Sequence, residues 1–288
     1  MKNFWFLLAT ALVFGISGVA FGYVGVGLDI ECPGIPAGTT ITIDGDLSDW
    51  AWAADYQYSK ADCWVLSGDP VPDDDIDFVF NLAWSDEENM IYGAAAVTDD
   101  IYNADQTGWA SGHEDDNLEF LVDGDNSGGT YQYGETPDYS NAQQIYLNPI
   151  FGLYCYGAGA HDDLAYLMGP PNEGAIGNQP ESGDTDVSYT YEFKMLIYDA
   201  LGDDIASSDD DVVHDLAEGD VIGFTLQWDD ADETLKEETG LITRDCQYST
   251  TDNGMSWTDA SAFSNAVLIA APTAVSPATW GSVKALFK

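Results

Sequence analysis

Positive charge is almost missing from this sequence. Against 51 Asp and Glu stand only 7 Lys and Arg, giving a formal net charge of −44 over 288 residues. So few cations cannot build the basic surface that follows a phosphate backbone, which excludes nucleic acid as a main partner. The same balance excludes attachment to anionic lipid surfaces. Two causes of such acidity stay open. One is a saline habitat, where a hydrated acidic shell keeps a protein soluble; the other is a set of bound divalent cations.

Catalytic signatures are also missing. No G-x-S-x-G or H-E-x-x-H motif occurs, and His113, His161 and His214 lie far apart. Carboxylates are so frequent that no acid/base pair stands out. The chain is therefore expected not to be an enzyme. There is no Cys-x-x-Cys pair, which argues against a zinc site. No internal repeat, long amphipathic helix or break in composition divides the chain.

One long apolar run is present, at the N-terminus. Lys2 precedes "FWFLLATALVFGISGVAF", and Ala20 and Gly22 put small residues where a signal peptidase reads. Cleavage after Gly22 is expected, leaving a domain over 23–288. The alternative is a retained anchor, since the run approaches the ~20 residues needed to span a bilayer. Nothing later in the chain is as long and apolar. The mature protein is expected to be exported, extracellular or periplasmic, without membrane insertion. Its even set of cysteines, Cys32, Cys63, Cys155 and Cys246, suggests two disulfides in such a compartment. Cys32–Cys63 with Cys155–Cys246 is the favoured of the possible pairings, and free buried thiols are the alternative.

Most of the rest reads as strands. "FVFNLAW" alternates Phe78, Phe80, Leu82 and Trp84 with smaller or polar residues. Tyr189, Tyr191, Phe193 and Met195 do the same, as do Ile222, Phe224, Leu226 and Trp228, and Leu118, Phe120 and Val122. Period-two alternation marks strands with one face on a core. Gly-, Asp- and Pro-rich turns such as "SGDPVPDDD" separate them. The prediction is an all-β antiparallel sandwich, with a helical turn or two allowed in "SSDDDVVHDLAEGD".

Five motifs in order carry a resemblance. They are "IDGDLSDW" (43–50), "LAWSDEENMIYGAAAVTDD" (82–100), "DDNLEFLVDGDNSGG" (115–129), "IGFTLQWDDAD" (222–232) and "MSWTDASAFSNAVLI" (255–269). The sequence resembles family 9 carbohydrate-binding modules and the wider DOMON-like sandwiches, jelly-roll in type, over roughly residues 41–269. The resemblance implies that "IDG…W" forms a first strand, its turn and a packing tryptophan, Trp50. It implies binding of an oligo- or polysaccharide between two tryptophans, which fall on Trp109 and Trp257. Its polar partners fall on Glu119, Gln227 and Asn148. An arginine of the family pattern is replaced by Tyr146, and the spacing from Trp109 to Glu119 is longer here.

A metal loop is read at "DGDNSGGTYQYGE". Asp123, Asp125 and Ser127 alternate, with Gly128 at the sixth place, as in the first half of an EF-type calcium loop. Glu135 stands one place beyond the usual closing position, and an acidic hairpin turn is the alternative. The resemblance adds structural calcium, and Asp99 and Asp100 are lesser candidates. The leading expectation is thus a secreted, non-catalytic carbohydrate-binding protein with structural calcium. A second is an acidic surface-layer, filament or matrix protein on the same sandwich, self-associating or held to a cell-surface partner. A third, from the DOMON-like side, is a haem-binding redox subunit. Its axial ligands would come from Met90, Met195, Met255 or the histidines.

Overall fold

The computed structural model describes residues 25–106, 108–133, 139–156, 169–202, 210–232, 235 and 240–272. In chain order its strands begin with β1 (Asp29–Pro33), β2 (Tyr58–Ser59), β3 (Trp64–Ser67), β4 (Ile76–Ser85) and β5 (Met90–Ile101). They continue with β6 (Asn117–Asp123), β7 (Gln143–Asn148), β8 (Gly152–Cys155), β9 (Glu173–Gly177) and β10 (Thr185–Met195). The last are β11 (Tyr198–Ala200), β12 (Val212–Val213), β13 (Val221–Asp230), β14 (Cys246–Ser249) and β15 (Asn265–Ile269).

The alternating stretches are the strands of two packed sheets. The larger runs β1-β15-β13-β6-β7-β8, with β14 also on β13 and β3 on β14; the smaller runs β2-β4-β5-β10-β9. Among the described strands β1 lies parallel to β15 and the other pairs are antiparallel. Between the sheets the apolar faces meet. The Phe78 ring of β4 stacks on Trp228 of β13 at 4.1 Å, and Phe120 of β6 on Phe193 of β10 at 4.2 Å. Burying each such ring contributes about 2–3 kcal/mol, and offset stacking adds about 1. Gly93 faces Phe193 across the pair β5–β10 and leaves room for that ring.

The "IDGDLSDW" stretch departs from expectation. Residues 41–46 form no strand; the segment Leu47–Tyr56 is a 3-10 helix laid on the outer face of the smaller sheet. Asp46 caps it by accepting from the Ser48 amide at 3.1 Å. Trp50 is buried, in a second apolar cluster with Ala83, Met90, Tyr92 and Ala94. Trp52 stacks beside it, centroids 6.4 Å apart. The reason is Glu192 on the outer face of β10. Its Oε1 accepts from the Trp50 indole at 2.8 Å, and its Oε2 from the amides of Asp44 and Gly45 at 3.0 Å each. The acidic turn is held by a carboxylate rather than by ladder hydrogen bonds. The described part of the stretch expected to turn helical, 210–220, carries β12 instead.

The expected disulfides are not formed: all four cysteines are free. Cys155 on β8 and Cys246 on β14 are four strands apart in one sheet. At about 4.8 Å per strand that is roughly 19 Å, far beyond the ~7 Å a disulfide spans. Cys32 points into the core from β1, and Cys63 packs against that core after the 3-10 turn Lys60–Asp62. All act as small apolar side chains. Burial pushes the thiols of Cys63, Cys155 and Cys246 up to about 12. Residues 1–22, the expected signal peptide, lie outside the described residues. Among the described residues no helix is long and apolar enough to cross a membrane.

Candidate functional site

The outer face of the larger sheet is polar yet buried. Alternation sends Leu118 and Phe120 of β6 inward, so Asn117 and Glu119 point outward. The same alternation turns Gln144 and Tyr146 of β7, Gln227 and Asp229 of β13, and Gln247 of β14 outward. Register places Gln227 beside Glu119, and Glu119 beside Tyr146. Such residues on an ordinary sandwich meet water. Here Glu119 is 1% exposed, Gln227 2% and Asp229 0%. The 3-10 segment Trp109–Glu114 and the loops around Arg244 and Trp257 stand over them. Between these covers lies a cavity of about 300 Å³. Its walls include Glu119, Gln144, Gln227, Arg244 and Gln247, with Tyr146, Tyr156, His113 and Trp257 as the aromatic part.

The polar groups form one network. Gln144 Nε2 donates to Glu119 Oε2 at 2.8 Å and to the Tyr146 hydroxyl at 2.7 Å. Gln132 donates to Gln144 Oε1 at 2.7 Å. Gln227 donates to Ser256 Oγ at 3.0 Å. Asp229 accepts from Arg244 at 2.7 Å, Asn117 at 2.8 Å and Gln247 at 2.9 Å. Burial, and then the neighbouring Asp229 charge, pushes the Glu119 carboxyl well up; Arg244 works against this. Burial alone would lower Arg244, but Asp229 and Glu119 outweigh it and keep the guanidinium charged.

Trp257 is half exposed on the cavity rim and meets Tyr133 edge-on at 6.0 Å. Tyr146 stacks on Tyr154 at 4.9 Å, with Tyr156 tilted at 5.8 Å. The backbone of Trp109 opens the 3-10 segment whose His113 lines the same cavity. The Trp109 side chain lies outside the described part of the structure. The structure thus brings Trp257, Glu119 and Gln227 to one cavity. Asn148 is not among its lining residues. Its Oδ1 accepts from the amides of Ile150 at 2.8 Å and Phe151 at 3.0 Å, and its Nδ2 donates to Gly112 O at 3.2 Å. It fastens the β7–β8 turn to the 3-10 segment.

Sequence reading missed Gln144, Arg244, Gln247 and Tyr156. Two signals were available. Gln144 sits two residues from Tyr146, hence on its face, and Arg244 is one of very few cations.

The acidic loop carries turn geometry. Asp123 Oδ2 accepts from Gly128 N at 2.7 Å, and Asp125 Oδ1 from Ser127 N at 3.1 Å. Asp123 is buried and Asp125 and Ser127 are exposed; Glu135 lies outside the described residues. Burial, then Asp125, pushes the Asp123 carboxyl up to about 7. The haem-ligand candidates are spread out. Met195 is in the main core and Met90 in the smaller cluster. Met255 is exposed, His214 contacts Asp199 at 2.6 Å, and His161 lies outside the described residues.

A larger cleft, about 740 Å³, lies between the Leu47–Tyr56 helix and the smaller sheet. Ala54, Val79, Ala94 and Ala96 help line it, together with the polar Asp46, Gln57, Asn81, Ser188 and Thr190.

No family model matches the sequence, and no curated protein matches it. Solved structures do. A carbohydrate-binding module of family 9 from Caldicellulosiruptor kristjanssonii, in complex with cellotriose, is similar at a TM-score of 0.56 and 18% identity, over 85% of this chain and 96% of the module. A family 9 module from the same organism in complex with glucose gives 0.52 and 18%, over 86% and 100%. The chain has the all-β sandwich fold of the family 9 carbohydrate-binding modules.

Proposed function

We propose that this protein binds a neutral oligo- or polysaccharide in the Glu119–Arg244–Trp257 cavity and does not cleave it. The observation that carries the reading is the convergence of three glutamines, a carboxyl and a guanidinium beneath a half-exposed indole. Sugar hydroxyls both donate and accept. Gln227 offers both roles, the amide oxygens of Gln144 and Gln247 accept, Glu119 accepts, and Arg244 donates. The C–H face of a sugar ring stacks on Trp257, removing apolar surface from water. The buried Asp229 carboxylate repels anionic sugars, as does the net charge of −44. Asp229 is tied to Arg244, Asn117 and Gln247, which leaves it no freedom to act as a base or nucleophile. The N-terminal apolar run fits an exported protein that meets such glycans outside the cell.

The test is titration calorimetry with cellotriose and with glucose. Saturable binding is expected. Trp257→Ala should weaken it by roughly tenfold, since one lost stacking ring costs on the order of 1–2 kcal/mol. The melting temperature should not change, because the indole is half in water. A wild-type protein that binds neither sugar nor any member of a glycan array sinks the reading. The acidic building-block function then takes its place.

A further inference from the structure

The sugar cavity borders an edge strand that its polar network does not use. Leu66 and Ser67 of β3 line it. Among the described strands β3 pairs with β14 alone, so its other edge is open. The pairing carries a bulge. Gln247 stands opposite Ser67 and Tyr248 opposite Val65, which makes Leu66 the extra residue. A bulge sets two residues against one and re-aims a side chain. Leu66 thereby reaches the cavity together with Ser67, although strand neighbours otherwise face opposite ways. Beyond the bulge alternation resumes: Val65 packs on the core, and Trp64 turns outward opposite Ser249. Ser249 in turn stands opposite Gln227, a wall of the cavity. Trp64 therefore shares the cavity's face, two strands from Gln227, or roughly 10 Å at about 4.8 Å per strand. It is 39% exposed. Among the described side chains the exposed tryptophans are Trp64 and Trp257, and both stand on this face.

We propose that Trp64 is a second stacking platform, which holds a further ring of a neutral glycan chain after the chain leaves the cavity over Leu66. This subsite rests on the sugar-binding reading given above. At about 300 Å³ the cavity lies at the small end of the range for ligand sites, roughly 300–1,000 Å³. Further residues of a longer glycan therefore lie beyond its walls. Two residues along a strand advance about 6.6 Å, which carries the chain from the Leu66 lip to the Trp64 indole. There the flat apolar ring offers a face on which a sugar C–H surface can stack, and it sets no demand on the hydroxyl pattern. Trp257 at the rim and Trp64 beyond it then hold successive parts of one chain. A bare indole on an open sheet edge also invites association between copies, which is the competing use of this ring.

The test is titration calorimetry of the full chain with glucose, cellotriose and cellohexaose, or with the matching length series of whichever array glycan binds. Affinity is expected to rise with length by roughly tenfold, the scale of one stacked ring. That rise should be largely lost in Trp64→Ala and partly kept in Trp64→Phe. A readout on the wild-type protein covers the case of a variant that does not fold. In hydroxyl-radical footprinting the longest sugar of the series should protect Trp64, and the monosaccharide should not. Three results overturn the subsite and leave the cavity reading intact. They are equal affinity for short and long chains, an undiminished rise in folded Trp64→Ala, and a Trp64 equally oxidised with and without the longest sugar. Loss of a dimer in Trp64→Ala by analytical ultracentrifugation, with the length rise kept, gives the ring to a second copy and also overturns it. A wild-type protein that binds no glycan of any length overturns subsite and cavity together.

Discussion

Arg244 Nη1 donates to Asp229 Oδ1 at 2.7 Å, on the outer face of β13. Among the described residues the guanidinium is the cation that balances buried Asp229 and acts on Glu119. Arg244→Met removes the charge and keeps much of the volume. It leaves the buried Asp229 carboxylate uncompensated, which costs about 3–5 kcal/mol. Arg244→Lys keeps the charge and should lose less. Urea unfolding of the three proteins checks this. A loss under ~1 kcal/mol for the methionine variant refutes the role given to Arg244.

A second balance sits on the opposite side of the sandwich. Glu192 accepts from Trp50, Asp44 and Gly45. Glu192→Ala strands the Trp50 indole and the Gly45 amide beneath the Leu47–Tyr56 helix, while the Asp44 amide keeps its bond to Thr42 O at 3.0 Å. At about 1–3 kcal/mol for a buried unsatisfied group, partly relieved by water, the loss should be about 2–4 kcal/mol. Glu192→Gln keeps one acceptor oxygen and should lose roughly half as much. Equal losses in the two variants would show that packing, not hydrogen bonding, holds the helix.

These two carboxylates show what the sequence makes legible and what it hides. The sandwich was readable because period two is local: Phe78, Phe80 and Leu82 announce their face within five residues. Glu119 and Gln227 were reached through motifs on such strands. Glu192 looked like an ordinary outward residue of an alternating strand. Its partners lie more than 140 residues away, at Trp50 and Gly45. Arg244 was hidden for another reason. It comes from a loop without periodicity, whereas the family pattern has its arginine at position 146, where this chain has tyrosine. The cysteines misled because an even count says nothing about distance across a sheet. The calcium reading followed a contiguous loop, in which Asp123 and Asp125 accept from the amides of Gly128 and Ser127.

Gly93 gives a packing prediction. A Cβ built there would lie 2.2 Å from the Phe193 ring, which is buried and stacked on Phe120. The ring has no free direction in which to retreat. Gly93→Ala should therefore cost about 1–3 kcal/mol, the range for overpacked cores. The double variant Gly93→Ala with Phe193→Leu should lose less than the sum of the single losses, because the smaller side chain clears the clash. Strict additivity in urea unfolding would rule out that contact as the cause.

The last prediction concerns pH, and its sign is opposite to ordinary acid denaturation. Burial pushes the Asp115 carboxyl up to about 6, against the amides of Gln106 and Asp105 and the side chain of Asn148. Burial and Asp229 push Glu119 up as well. A carboxyl whose pKa is raised by folding holds its proton in the native state after the unfolded chain has lost it. Between the two values the native state binds more protons, so stability falls as pH rises. For Asp115 the window runs from about 4, the unfolded value, to about 6. At ~1.4 kcal/mol per unit, its share is no more than about 3 kcal/mol. Glu119, pushed up by burial and by Asp229, adds a decline of the same sign. Repulsion within a chain of net charge −44 has the same sign, since acid removes negative charge. Salt screens that repulsion, with a Debye length of about 10 Å at 0.1 M. The melting temperature at low salt should thus be higher at pH 5 than at pH 8. Added sodium chloride should raise it more at pH 8. A melting temperature at low salt that is flat or rises from pH 5 to 8 would mean that these carboxyls are ionised in the folded protein and are stabilised by contacts other than those described.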